Sequence, residues 1–162
     1  MKINCVLVDD EPLALTLLND FASRIPFLNI IGSFNSAHEA LLFIKANDVN
    51  LVFLDINMPD IDGFTLLKEL GKEIMVVFCT AYHEYAIDGF NVRALDYLVK
   101  PYSFERFLRA ACYAQENYIL RQSKGDSENS QKENSAYLFV KSDYSLVKVN
   151  INEIIFISIS TT

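Results

Sequence analysis

The chain has 162 residues, is 51% hydrophobic and carries a formal net charge of −7. This length allows one domain of average size and some additional sequence. Residues 1–121 hold 16 acidic and 10 basic side chains, which excludes the basic surface typical of nucleic-acid binding from that region. No apolar run reaches the roughly 18 residues of a membrane span, and the first apolar run ends in acids, unlike a signal peptide. We therefore expect a cytoplasmic protein without membrane contact.

Strand-like and helical patterns alternate five times up to residue 121. The apolar runs predicted as strands are Ile3–Val8, Leu28–Ser33, Leu51–Leu54, Met75–Cys79 and Ala94–Val99. Apolar spacings of three and four residues predict the helices, which contain Leu13, Leu17, Leu18, Phe21 and Ala22, then Ala37–Ile44, Phe64–Leu70, Glu84–Phe90 and Ser103–Ala114. This alternation predicts an α/β fold, a doubly wound parallel sheet with helices on both faces. The third and fourth strands are apolar throughout and should be central, whereas the second is mixed and should lie at an edge.

The composition changes after residue 121. Residues 122–136 contain no large apolar side chain, which predicts a flexible linker. Residues 137–162 alternate in polarity and predict three short strands, Tyr137–Lys141, Leu146–Val149 and Ile154–Ser158. Because two or three strands are marginally stable alone, we interpret residues 137–162 as the start of an all-β domain that the chain does not complete.

Charged residues follow three of the predicted strands. Asp9 and Asp10 follow the first strand, Asp55 follows the third and Lys100 follows the fifth. The carboxyl ends of parallel strands converge on one crevice, where such folds bind ligands. Crowded carboxylates repel one another unless a hard cation such as Mg²⁺ binds them, and a lysine supplies a point charge for a phosphoryl group. The pattern predicts a phosphorylation site built on an aspartate.

These motifs together resemble the receiver domains of two-component response regulators. The motifs are Asp9-Asp10-Glu11-Pro12, Asp55 within LDINMPDIDG, Thr80-Ala81, and Tyr97 three residues before Lys100-Pro101. The resemblance covers residues 1–121. It implies the flavodoxin-like five-stranded sheet with the strand order 2-1-3-4-5.

The resemblance also implies a role for each matching residue. Asp55 would be the phosphoacceptor for a sensor histidine kinase, which makes the protein a signalling phosphoacceptor rather than an enzyme. The implied Mg²⁺ ligands are Asp10 and Asp55 directly, Asp9 largely through water, and the backbone carbonyl of Asn57. Lys100 would pair with the acids and then with the phosphoryl oxygens. Thr80 would donate its hydroxyl to the phosphoryl group, Tyr97 would change rotamer in response, and the Lys100–Pro101 peptide bond would be cis.

A second resemblance concerns the C-terminal residues. The segment LFVKSDYSLVKVNINEIIFI is similar to the opening strands of a LytTR-type DNA-binding domain, and residues 82–86 and 90–97 resemble LytTR-linked receivers. This implies that residues 137–162 are a truncated N-terminal part of that domain. The full-length form would regulate transcription, whereas this chain would not bind DNA specifically.

A homodimer that forms on phosphorylation is a further hypothesis. It would use the predicted fourth helix, fifth strand and fifth helix. The region from Glu84 to Tyr113 mixes aromatic residues with charges expected to be exposed, which are Arg93, Asp96, Arg106 and Arg109.

Two other functional classes remain open. One is a receiver-like interaction module that works without phosphorylation. The other is a Mg²⁺-dependent phosphatase of the haloacid dehalogenase type, but those enzymes usually carry a second acid two residues after the nucleophile, where this chain has Asn57. Structural roles are also open, since Asp9 and Glu11 could cap a helix and Tyr97 could be a packing aromatic.

Overall fold

The computed structural model describes residues 1–81, 93–124, 137–142 and 145–150. The elements in chain order are β1 (Ile3–Val8), α1 (Pro12–Ser23), β2 (Leu28–Phe34), α2 (Ala37–Ala46), β3 (Leu51–Leu54), α3 (Gly63–Glu69), β4 (Met75–Thr80), β5 (Asp96–Val99), α4 (Phe104–Lys124), β6 (Tyr137–Ser142) and β7 (Ser145–Asn150). The predicted helix Glu84–Phe90 and the predicted strand Ile154–Ser158 lie outside the described residues. Helix α4 is thus the fifth helix of the sequence prediction.

Strands β1 to β5 form one parallel sheet in the order β2-β1-β3-β4-β5. This is the predicted fold and strand order. Every residue of β3 and β4 is buried, whereas β2, at the edge, is mostly half-buried. The difference in composition predicted the strand positions correctly because central strands are covered on both faces.

Helices cover both faces of the sheet. Alternate residues of β1 belong to two separate cores, with Cys5 and Leu7 in one and Val6 and Val8 in the other. Buried residues of α1 and α4 complete the first core, and buried residues of α2 and α3 complete the second. The sheet is therefore held rigidly from both sides, which positions the residues that follow its strands.

Helix α1 buries only part of its apolar residues. Leu18, Phe21 and Ala22 are buried, but Leu13 is 79% exposed and Leu17 is 41% exposed. Since each residue turns the helix by about 100°, Leu13 and Leu17 lie on a face that points away from the sheet. The predicted helix is confirmed, and Leu13 and Leu17 contribute to its period but not to the core.

The element boundaries differ slightly from the predictions. Strands β2 and β4 each extend one residue further, to Phe34 and Thr80, and β5 begins at Asp96 rather than Ala94. Helix α4 continues to Lys124, past the boundary at 121 where composition placed the linker. Ser36 caps α2 by accepting a hydrogen bond from the backbone N–H of Glu39 at 3.3 Å, which is the N-cap bond of a capping box.

Strands β6 and β7 pair with each other in antiparallel register. They correspond to the first two strands predicted after the linker. None of the helices that the structure describes combines the length and the low polarity needed to cross a bilayer.

Candidate functional site

Three carboxylates meet at the carboxyl edge of the sheet. Val8 and Leu54 end β1 and β3 and are register partners, so the residues that follow them lie side by side. The backbone N–H of Asp55 donates to the carbonyl of Val8 at 2.9 Å. One carboxylate oxygen from each of Asp9, Asp10 and Asp55 lies within 4.8 Å of the others.

The ammonium group of Lys100 joins this cluster from β5. Its Nζ atom lies 2.7 Å from Asp9 Oδ2 and 3.8 Å from Asp55 Oδ1. The Lys100 backbone N–H donates to the carbonyl of Thr80 at 2.8 Å, which ties this lysine to the end of β4. The peptide bond from Lys100 to Pro101 is cis. The structure thus brings residues that are 91 positions apart into one charged site.

Burial sets the electrostatics of the site. Asp9 has no exposed surface and Asp55 is 5% exposed. Burial raises the pKa of Asp55 to about 6; Lys100 partly opposes the rise and the charge of Asp9 adds to it. Burial also raises the pKa of Asp9, against the hydrogen bond from Lys100. Burial alone would lower the pKa of Lys100, but its hydrogen bond to Asp9 and the nearby negative charges outweigh this and raise it.

The carboxylate of Asp9 has two functions in the structure. Its Oδ1 atom accepts a hydrogen bond from the backbone N–H of Glu11 at 3.0 Å, at the start of α1. Its Oδ2 atom accepts the hydrogen bond from Lys100. The side chain of Glu11 makes no capping hydrogen bond. Asp9 therefore orients the helix start and also contributes to the acidic cluster.

The loop after β3 packs closely against Asp55. The backbone N–H of Gly63 donates to the carbonyl of Ile56 at 2.8 Å. A Cβ atom at position 63 would lie 2.5 Å from the carbonyl oxygen of Asp55 and 2.9 Å from the Cα atom of Ile56. Only glycine fits such an approach without a backbone shift. Asn57 is half-buried in this loop, two residues after Asp55.

Thr80 and Tyr97 are buried in the two strands, β4 and β5, that lead to Lys100. Thr80 ends β4 and has no exposed surface, and Tyr97 on β5 is 3% exposed. The ring of Tyr97 packs against Phe78, with 6.1 Å between the ring centroids. In this position Tyr97 is a packing aromatic. For Tyr97 to act as a switch, its ring must leave this position.

The acidic cluster fits Mg²⁺ by its donor atoms and its charge. Its oxygen ligands are those that hard divalent cations prefer. Burial raises the pKa of both Asp9 and Asp55, because their ionised forms have lost solvating water and Lys100 only partly offsets that loss. A divalent cation would offset the rest, with Asp10 and Asp55 as the expected direct ligands.

Sequence patterns did not predict an ion pair that involves the first residue of β5. Asp96 is buried, and Arg106 binds it with 2.8 Å between Nη2 and Oδ1. The expectation that both charges are exposed on a dimer surface is wrong, whereas Arg93 and Arg109 are exposed. The presence of Asp96 within a short apolar run could have indicated the pair, because an acid buried in a strand needs a charged or hydrogen-bonding partner.

Comparisons with known proteins agree with this geometry. A family model described as the response regulator receiver domain matches residues 5–111. The chain is 29% identical over 161 residues to protein MrkE of Klebsiella pneumoniae, covering 94% of this chain and 58% of MrkE. It is 31% identical over 167 residues to the sensory transduction protein LytT of Bacillus anthracis, covering 97% of this chain and 66% of LytT.

A solved structure extends the comparison. The crystal structure of the response regulatory domain of MrkE from Klebsiella pneumoniae superposes with a TM-score of 0.67 at 30% identity, covering 73% of this chain and 99% of that one. The chain spans 58% of the full length of MrkE and 66% of that of LytT.

Proposed function

This chain belongs to the response regulator receiver domain family, and we propose that it accepts a phosphoryl group from a sensor histidine kinase on Asp55. The observation that carries the proposal is the joint placement of Asp9, Asp10, Asp55 and Lys100 at one sheet edge. Asp55 is favoured over Asp9 as the acceptor, because both carboxylate oxygens of Asp9 already accept hydrogen bonds, from the backbone N–H of Glu11 and from Lys100. With a pKa of about 6, the carboxylate of Asp55 is mostly ionised at neutral pH and can act as a nucleophile.

The proposed reaction transfers the phosphoryl group between two protein side chains. A carboxylate oxygen of Asp55 attacks phosphorus, and an acyl phosphate forms while the bond from phosphorus to the donor imidazole nitrogen breaks. The electron pair of that bond leaves with the imidazole. Such transfers depend on positioning and charge neutralisation. Mg²⁺, held by Asp10 and Asp55 directly, by Asp9 through water and by the carbonyl of Asn57, would neutralise the phosphoryl oxygens.

Lys100 is suited to stabilise the product. Its ammonium group is 3.8 Å from Asp55 Oδ1 and is oriented by Asp9. The phosphoryl group carries about −1.5 to −2 charges in place of the single charge of the carboxylate, so the lysine gains a stronger partner within reach. The hydroxyl of Thr80 would donate a hydrogen bond to the same group.

The response would pass from Thr80 to Tyr97. Reversal of a two-state equilibrium from 1:99 to 99:1 takes about 5.5 kcal/mol of differential stabilisation. Hydrogen bonds to charged groups contribute about 1.5–3 kcal/mol each, so two or three new bonds to the phosphoryl group suffice. Once Thr80 moves toward it, the ring of Tyr97 can turn into the vacated space.

We further propose the domain organisation and the output. Residues 1–121 form the receiver, residues 122–136 link it to the output with α4 continuing into them as far as Lys124, and residues 137–162 begin a LytTR-type DNA-binding domain. Phosphorylation would promote a homodimer, and the full-length form would regulate transcription.

Light scattering with and without beryllofluoride tests the dimer, since an unchanged mass contradicts it. Sequence-selective, salt-resistant DNA binding by this chain in a mobility-shift assay would contradict the expectation that this chain does not bind DNA specifically.

The phosphoacceptor is tested by acetyl phosphate and intact mass spectrometry. Wild type should gain one phosphoryl adduct in Mg²⁺, and the adduct should be lost in chelator and in Asp55→Ala. Asp48→Ala is a matched control, because Asp48 is an exposed acid just before β3. An adduct that survives in Asp55→Ala would place the acceptor elsewhere. No adduct, together with no beryllofluoride binding, would support an interaction module that works without phosphorylation.

A further inference from the structure

The main chain of Tyr97 is held on both sides by one ion pair. The backbone N–H of Tyr97 donates to Asp96 Oδ1 at 2.7 Å. Arg106, in the first turn of α4, donates to both carboxylate oxygens of Asp96 at 2.8 Å. The same guanidinium also donates to the carbonyl oxygen of Tyr97 at 3.2 Å. Both peptide groups of Tyr97 are therefore bonded by side chains.

The position of β5 explains why side chains make these bonds. Among the described strands, β5 is hydrogen-bonded to β4 alone, at the end of the sheet order, and β7, which lies near β5, belongs to a separate sheet. Main-chain groups on the outer side of an edge strand have no neighbouring strand to bond, and buried ones need another partner. Asp96 and Arg106 supply that partner at Tyr97.

The geometry of the pair favours a fixed arrangement over a loose contact. The side chains of Arg106 and Asp96 are 22% and 12% exposed, so water competes weakly for them. A bidentate guanidinium–carboxylate pair defines orientation as well as distance. Ser103 Oγ accepts a hydrogen bond from the backbone N–H of Arg106 at 3.1 Å, which fixes the first turn of α4 from which the guanidinium extends.

We infer that Arg106 is a positioning residue for the switch. It holds the main chain of Tyr97 in place, so that the response to phosphorylation at Asp55 is limited to rotation of the ring between discrete rotamers. Because Arg106 belongs to α4, it also couples that strand position to the helix. This inference rests on the switch role of Tyr97 in the proposed function.

The test is ¹⁹F NMR of chains labelled with 3-fluorotyrosine, with and without Mg²⁺ and beryllofluoride. The chain has eight tyrosines, and the Tyr97 resonance is the one lost in Tyr97→Phe. Bound beryllofluoride appears in the same spectrum and reports occupancy of the Asp55 site. The variant is Arg106→Gln. The matched control is Arg109→Gln on the same helix. It breaks the ion pair between Arg109 and Glu105, whose charged atoms are 2.7 Å apart and whose side chains are 72% and 73% exposed.

In wild type and Arg109→Gln, the Tyr97 resonance should be narrow both without and with beryllofluoride, and beryllofluoride should move it from one chemical shift to another. In Arg106→Gln, beryllofluoride should still bind, but the resonance should be broad and its shift less than half that of wild type. A full wild-type shift in Arg106→Gln would overturn the inference. If Arg106→Gln does not fold, Asp96→Asn/Arg106→Gln removes the unpaired buried charge, and the same criterion applies to it.

The remaining outcomes separate this inference from the proposed function. If beryllofluoride binds wild type and the Tyr97 resonance does not move, the switch role of Tyr97 is wrong and the positioning role fails with it. If beryllofluoride does not bind wild type, the phosphoacceptor proposal for Asp55 fails, and the role inferred for Arg106 fails as well.

Discussion

Asp55→Asn should stabilise the protein in metal-free buffer. Asp55 is 5% exposed, and burial raises its pKa from 3.8 to about 6. The folded state therefore binds a proton more tightly than the unfolded state does. The free energy of unfolding therefore falls as the pH rises from the pKa that Asp55 has in the unfolded state through the pKa that it has in the folded state. Above pH 6 the ionised carboxylate of Asp55 destabilises the folded state. The neutral amide of asparagine removes this destabilisation.

The size of the effect follows from the difference in pKa. A shift from 3.8 to about 6 corresponds to about 3 kcal/mol at pH 7.5, at 1.36 kcal/mol per pKa unit. The attraction between Asp55 and Lys100, 3.8 Å apart, is already included in this value, because Lys100 lowers the pKa of Asp55. At pH 4 the wild-type carboxyl is largely protonated in the folded state, so linkage reduces the gain to below about 1 kcal/mol.

Urea unfolding followed by circular dichroism in EDTA measures the free energy of unfolding at both pH values. Asp48→Asn, at an exposed acid, should change it by no more than about 0.5 kcal/mol. Added Mg²⁺ should stabilise wild type and not Asp55→Asn, since only a state that binds the ion gains. If Asp55→Asn is no more stable than wild type at pH 7.5, or keeps its full gain at pH 4, the reasoning from charge burial is wrong.

Two more substitutions test the packing and the ion pair of the site. Gly63→Ala should lower the free energy of unfolding by about 1–3 kcal/mol in urea, because its Cβ would lie 2.5 Å from the carbonyl oxygen of Asp55. Gly71→Ala is its control, since the Cβ there meets only the mobile end of a side chain, and an equal loss would contradict the packing argument. Lys100→Met should cost about 3 kcal/mol by leaving Asp9 buried and unpaired. Asp9→Asn/Lys100→Met should recover most of that loss, and failure to recover would assign the cost to packing.

Local sequence patterns were sufficient for most of the fold. β1 and β3 have the predicted bounds, because each is a short apolar run ended by acidic or polar residues. The apolar composition of β3 and β4 predicted their central position, since a strand covered by helices on both faces cannot alternate in polarity. Spacing alone was ambiguous for α1, where Leu13 and Leu17 satisfy a helical period on a face the sheet does not cover.

The sequence by itself also determined which residues end up at the carboxyl edge of the sheet. Asp9, Asp10, Asp55 and Lys100 each follow a predicted strand, and parallel strands present such positions at one edge. The separation of these residues along the sequence did not prevent the prediction, because a parallel sheet brings the residues after its strands to one edge whatever their separation.

Only the tertiary structure decided how these charges are balanced. The bond from Lys100 to Asp9 at 2.7 Å and the burial that raises the pKa of Asp55 to about 6 depend on packing from several elements at once. The pair formed by Asp96 and Arg106 is a similar case. Both residues read as exposed charges in the sequence, and their burial arises because an edge strand and the first turn of a helix meet in the fold.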